Sequence, residues 1–307
     1  MTTVPVNNSF GAPVYFKDTV TSTMDEARSL VDIQHGAVLC ADYQTTGRGR
    51  NGRYWQTSNA ESLSFTVTLR YAAISAIPSC LTLRMGLAVS GAIEDFAAFI
   101  RKETTSDQLQ MVRGTCCCLS GGRFRKLQES PLAGKVLVKW PNDVMLLDKD
   151  GQGRKAVGIL TETESGTVYA GIGVNIAQRS FSPELAGKAY SIAQALSWTT
   201  DQPDAITAVL AEKRFILLEL ILSRLYNELE TSAGEDWRKR LNERLYMKGR
   251  RVCFISGLPE ELADPSSKIE GILQGIGEKG EILIEQDSGE VRSFVNGELR
   301  PETLAEY

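Results

Sequence analysis

Apolar positions change their spacing several times along the chain, and each change predicts an element. "AVLCADYQ" (37–44) is a nearly continuous apolar run and predicts a buried strand, while "SLSFTVTLR" (62–70) alternates as a half-buried strand does. "LTLRMGLAVSGAIEDFAAFI" (81–100) repeats apolar residues at helical spacing and predicts a core helix. Earlier, "VTSTMDEARSLV" (20–31) reads as a strand end and then a helix from Ser22 or Thr23, with Thr23 and Glu26 at capping-box spacing. Three strand-like runs follow, "KVLVKWPNDVMLL" (135–147), "KAVGILTETE" (155–164) and "TVYAGIGVNI" (167–176). The Asp- and Gly-rich turns between them predict consecutive antiparallel strands. Helical spacing then covers about 203–232 and 234–246.

From "KGRRVCFI" onward the period falls to two, with short strands joined by turns such as "GEKG" and "DSGE". That predicts a small β-barrel over 247–307, set after a larger domain over 1–246, with the boundary near Met247. The rhythm breaks over 101–135, where seven basic residues face three acidic ones and Cys116, Cys117 and Cys118 are adjacent. Such a segment reads as a surface insertion.

Composition narrows the chemistry. A length of 307 residues suits two domains, and a net charge of −4 argues against general nucleic-acid affinity. The N-terminus lacks a signal-peptide pattern, and no stretch is expected to span a membrane; "FILLELILSRL" (215–225), with Glu219 and Arg224, reads as a buried helix face. A cytoplasmic location follows as the expectation. Adjacent cysteines lack zinc-site spacing. A single histidine, His35, makes a Ser/His or Cys/His hydrolase a poor fit; it precedes Gly36 after a helix and is expected to cap it.

Four clusters remain: "QTTGRGRNGRYW" (44–55), "KWPND" (139–143), Arg154–Lys155 with Gly158, and "GIGVN" (171–175). Each has a plain structural reading as a basic loop, a turn, a strand end or a close approach of backbones. Arginine forks on a glycine-rich loop also suit an anion held between them. In this order and spacing, together with "STMDEA" and the terminal barrel, the four clusters resemble the biotin protein ligases over nearly the whole chain.

The resemblance implies an α+β fold, with a mixed β-sheet and flanking helices related to the class II aminoacyl-tRNA synthetase core, plus a C-terminal SH3-like barrel. It implies two steps, formation of biotinyl-5′-AMP from biotin and ATP with Mg2+, then transfer of biotin to a lysine of a biotin carboxyl carrier domain. Arg48, Arg50 and Lys155 match positions around the biotin carboxyl and the α-phosphate, as catalytic cations. Asp143 matches a nucleotide or magnesium position. The biotin pocket would comprise Ser22, Thr23, Met24, Gln44, Gly47, Gly49 and Gly158 beside those cations. Met24 stands where relatives often carry Asn. The ATP side would comprise Arg53, Trp55, Lys139, Asn142, Asp143, Asn175, Glu298 and Arg300. The Arg/Gly loop would act as a lid over the reactive anhydride. The family includes monomers and homodimers. Its first motif starts near residue 20, which leaves no room for a DNA-binding helix-turn-helix, so no DNA is expected. A lipoate or octanoate ligase of the same fold, or a non-catalytic biotin-binding homologue, are the alternatives.

Overall fold

The computed structural model describes residues 1–57, 60–105, 130–199, 202–231, 234, 236–256 and 268–301. The expected Cys116–Cys118 run and most of the 101–135 insertion lie outside the described residues.

Eight strands form one mixed sheet: β1 (Thr2–Thr3), β2 (Val14–Val20), β3 (Ala37–Gln44), β4 (Ser62–Arg70), β5 (Val136–Lys139), β6 (Asp143–Leu147), β7 (Gly153–Glu164) and β8 (Thr167–Asn175). Their order is β1-β2-β3-β4-β8-β7-β6-β5, and only β2 and β3 run parallel. The run at 135–147 is therefore two strands, folded back at the Trp140–Pro141–Asn142 turn. Helix α1 (Thr23–Ser29) follows β2, and α2 (Leu81–Thr105) follows β4. After β8 come α3 (Ile192–Ser197), α4 (Pro203–Glu212), α5 (Arg214–Glu230) and α6 (Trp237–Glu243).

The sheet has two unlike faces. Phe65 and Val67 of β4, with Ala170, Ile172 and Val174 of β8, share a core with Met85, Ile93 and Phe96 of α2 and Leu218 and Ile221 of α5. The alternate β4 residues Ser64, Thr66 and Thr68 are also buried. The alternation in β4 thus predicts its core face correctly, but its polar face is not in solvent. Thr66 Oγ1 donates to Thr23 Oγ1 of α1 at 2.9 Å.

Three expectations are corrected, the first two by local hydrogen bonds. Ser22, not Thr23, caps α1, accepting from Met24 N–H at 3.3 Å; Glu26 turns instead to Lys17. His35 does not cap α1, which is closed by Leu30 N–H on the Ala27 carbonyl; its Nδ1 accepts from Arg70 N–H at 3.0 Å. Residues 74–103 do form a segment long and apolar enough to cross a membrane, by length and composition, with mean hydropathy 1.4; 61% of that window is buried inside the fold, as in a core helix. α3 escaped the periodicity because it is short, although Ser191 and Gln194 form a full capping box.

A second sheet, β9 (Arg251–Ser256), β10 (Lys268–Ile276), β11 (Ile282–Glu285), β12 (Val291–Phe294) and β13 (Gly297–Pro301), is wholly antiparallel in the order β12-β11-β10-β9-β13. Its core is shared with the first part of the chain: Val252, Phe254 and Leu299 pack with Leu83, Val138 and Trp140, and Trp140 Nε1 donates to the Gly280 carbonyl at 3.1 Å. Phe254 is fully buried, stacks on Phe294 at 4.5 Å and meets Trp140 at 5.9 Å. Phe254→Ala is expected to cost about 3–5 kcal/mol in urea unfolding and to red-shift tryptophan fluorescence as Trp140 loses its neighbour.

Candidate active site

One face of β8 is almost bare. Gly171, Gly173 and Asn175 alternate toward it, and Gly158 of β7 stands opposite Gly173 in register. Over this strip opens a cleft of about 1040 Å3. It is lined by every residue expected in the biotin and ATP sites except Gly47. Gly47 serves the fold instead: its carbonyl accepts from Trp55 N–H at 2.9 Å, and a Cβ there would meet the Trp55 carbonyl at 2.5 Å.

The Arg/Gly stretch is a hairpin with backbone order of its own. Arg48 bridges Tyr54, and Gly49 N–H donates to the Arg53 carbonyl at 2.8 Å. Asn51 (φ 57°) and Gly52 (φ 71°) take the left-handed backbone that closes its tip. The hairpin lowers the Trp55 indole onto the bare strip, where a Cβ on Gly173 would meet Trp55 Cε2 at 2.3 Å. The indole Nε1 is buried without a partner among the described residues.

At one end of the strip, Thr23 N–H donates to Gln44 Oε1 at 2.9 Å and Thr23 Oγ1 to the same oxygen at 3.2 Å. Ser22 is buried beside them, and Met24 lies with its sulfur over Gly171. Met24 thus adds an apolar wall where an amide would have added a hydrogen bond.

The middle is cationic. Lys155 Nζ sits 2.7 Å from Asp143 Oδ1 and 5.6 Å from the Trp55 ring. Its backbone is held by Lys155 N–H on the Lys188 carbonyl (2.8 Å) and Tyr190 N–H on the Lys155 carbonyl (2.9 Å). Arg50 donates to Asn142 Oδ1 at 3.3 Å, and Asn142 Nδ2 to the Ile159 carbonyl at 2.8 Å. Burial pushes the Lys139 ammonium below the ordinary lysine value, against the pull of Asp143 and Glu298. Glu298, brought in by β13, accepts from Arg53 at 2.7 Å and Arg300 at 3.2 Å. Burial raises its pKa, but these two arginines outweigh that and hold it below the usual carboxylate range. Arg48 lies apart from this group: its guanidinium pairs with Asp25 at 2.8 Å and Glu162 at 3.6 Å.

Eight cations and three carboxylates line the cleft, so it is positive within an acidic chain. Among the described residues no three His, Cys, Asp or Glu side chains gather to hold a metal. A magnesium carried on substrate phosphates asks less, one or two carboxylates, and Asp143, whose Oδ1 rests on Lys155, supplies one in the cleft.

Sequence reasoning missed the wall formed by Gln178 and the Ser180–Ala189 segment. Its Ser-Pro and Gly residues gave no periodicity; the only signal was its place directly after "GIGVN". Asn175 Nδ2 donates to the Lys155 carbonyl at 3.5 Å, and its Oδ1 accepts from Gln178 at 3.3 Å.

Two tests follow from this geometry. Gly173→Ala is expected to displace the indole, altering tryptophan fluorescence and costing about 1–3 kcal/mol in urea unfolding. A depressed Glu298 pKa contributes stability above the unfolded-state value and loses it as pH falls through the folded one. In thermal melts, wild type should therefore exceed Glu298→Gln above about pH 5, with the gap closing as pH drops below the usual glutamate range.

Residues 14–177 match the Biotin/lipoate A/B protein ligase family. The bifunctional ligase/repressor BirA of Salmonella typhimurium is 27% identical over 273 residues, which cover 87% of this chain and 67% of that protein. The biotin–[acetyl-CoA-carboxylase] ligase of Mycobacterium tuberculosis is 29% identical over 153 residues, covering 50% of this chain and 43% of that protein. Among solved structures, Aquifex aeolicus biotin protein ligase in complex with biotin and ATP is similar with a TM-score of 0.61 at 24% identity, over 93% of this chain and 97% of that one. Leishmania major biotin protein ligase in complex with biotin gives 0.53 at 22% identity, over 92% and 98%. The fold is thus the mixed α+β arrangement of these ligases with an SH3-like C-terminal domain. With more than half of its length matched, this chain belongs to the Biotin/lipoate A/B protein ligase family.

Proposed function

We propose that this chain is an ATP-dependent biotin–protein ligase. The observation that carries the reading is the order of groups along the β8 strip: a small polar pocket with an apolar wall, then a cluster of cations, then a pair of amides. That order suits a ureido ring, a carboxylate beside a phosphate, and a nucleobase.

In the first step a biotin carboxylate oxygen attacks the α-phosphorus of ATP, and pyrophosphate leaves with the bonding pair. Two anions must meet, so the cations that gain most from the developing charge carry the catalysis. Lys155 and Arg50 are the residues for that work, with Lys139, Arg53 and Arg300 along the polyphosphate. Magnesium, bound with the nucleotide, would be held by Asp143 and would offset phosphate charge. Arg48 would act at the pocket mouth after leaving Asp25, its guanidinium fork matching carboxylate or phosphate oxygens. In the second step a neutral lysine amine of the acceptor attacks the acyl carbon, and AMP leaves. The acceptor is a biotin carboxyl carrier domain, a reading supported by the acetyl-CoA-carboxylase named for the mycobacterial relative.

The test is pyrophosphate release with ATP and Mg2+, comparing biotin, lipoate and octanoate. Release driven by biotin alone supports the reading; release driven by lipoate or octanoate moves the chain to the sister activity. Lys155→Ala should cut biotin-dependent release at least about a hundredfold while the melting temperature barely moves. Near-normal turnover in that variant would sink the assignment of Lys155.

A further inference from the structure

At the far end of the strip, a chain of amides ends in an unused acceptor. The Lys155 carbonyl can only accept, so Asn175 must turn its Nδ2 toward it. That leaves Asn175 Oδ1 facing Gln178, which must answer with Nε2, here at 3.3 Å. The orientation of the Gln178 amide is then fixed, and its Oε1 is buried with no donor among the described residues. The backbone is fixed too, since the Gln178 carbonyl accepts from Ser191 Oγ at 2.6 Å. Gln178 is only 2% exposed, yet it lines the cleft. Buried amide oxygens are nearly always paired, so a bare one at a binding cleft points to a donor on the ligand.

Its position says which part of the ligand. Strand residues rise by about 3.3 Å, so Asn175 lies about 13 Å along β8 from Gly171, where Met24 sits. The Ser22–Thr23–Gln44 pocket and Gln178 are therefore at opposite ends, with Lys155 between them. We propose that Gln178 selects the nucleobase: its Oε1 accepts a hydrogen bond from the exocyclic amino group of a 6-aminopurine nucleotide, and Asn175 orients it. This rests on the nucleotide reading given above. A 6-oxopurine would set its own acceptor against Oε1, and a site built around one hydrogen bond rejects the analogue that cannot make it.

The experiment uses the full chain, biotin and Mg2+, with pyrophosphate release from ATP, ITP and 2′-deoxy-ATP. Wild type is expected to favour ATP over ITP by about 30-fold in kcat/KM, and Gln178→Met to shrink that ratio to within about 3-fold. Equal use of ATP and ITP by wild type overturns the inference, and this arm requires no variant to fold. A ratio unmoved in Gln178→Met overturns it too, as does a shift in the ATP to 2′-deoxy-ATP ratio instead, which would assign the oxygen to the ribose. Release from ATP and ITP alike leaves the ligase reading standing; no release from any of the three overturns both.

Discussion

A strip of sheet without side chains is the constraint on which the cleft depends. Across β7 and β8, Gly158 and Gly173 stand opposite each other, and Trp55 fills the room they leave. A Cβ at Gly173 would overlap the indole, so the depth of the cleft, the seat of Trp55 and the path of the Arg/Gly hairpin are one decision. The other face of β8 carries Ala170, Ile172 and Val174 into the core, which makes the strip rigid. A bare floor on a packed sheet gives a ligand a flat, fixed surface at little entropic cost.

The charges above that floor share one arrangement: Lys155 rests on Asp143, Arg53 on Glu298 and Arg48 on Asp25. Lys155 is the half-buried one of the three, and a half-buried ammonium without a partner would be costly. Asp143 lowers that cost, and each carboxylate can be exchanged for a phosphate or carboxylate oxygen of the ligand. Such exchange keeps the site assembled before substrate arrives, which is the condition for electrostatic catalysis without reorganisation.

Much of this was legible in the sequence because the signals were local. Alternation in 62–70 gives β4, and the helical spacing of 81–100 gives α2. "KWPND" and "GIGVN" mark the cation cluster and the strip because turns and close approaches require those residue types. What stayed hidden depends on tertiary partners. No periodicity tells that the polar face of β4 lies under α1, that His35 turns to Arg70, or that Arg48 reaches Asp25. Gln178 is the sharpest case, since its meaning lies in an atom left without a partner, and a sequence does not show pairing.

The C-terminal barrel belongs to the same argument. β13 pairs with β9 and sets Glu298 opposite Ile255, with its carboxylate on Arg53 of the hairpin. The last strand thereby holds a loop from the first sixty residues, while Trp140, beside the "PND" turn, is buried in the barrel's own core. Two contacts thus tie the barrel to the cleft, one through charge and one through packing. The ionic contact is the partly exposed and exchangeable one, whereas the aromatic contact is fully desolvated. Loss of the Arg53–Glu298 pair would leave Trp140 seated, so the barrel and the bare strip would keep their places whatever the hairpin does.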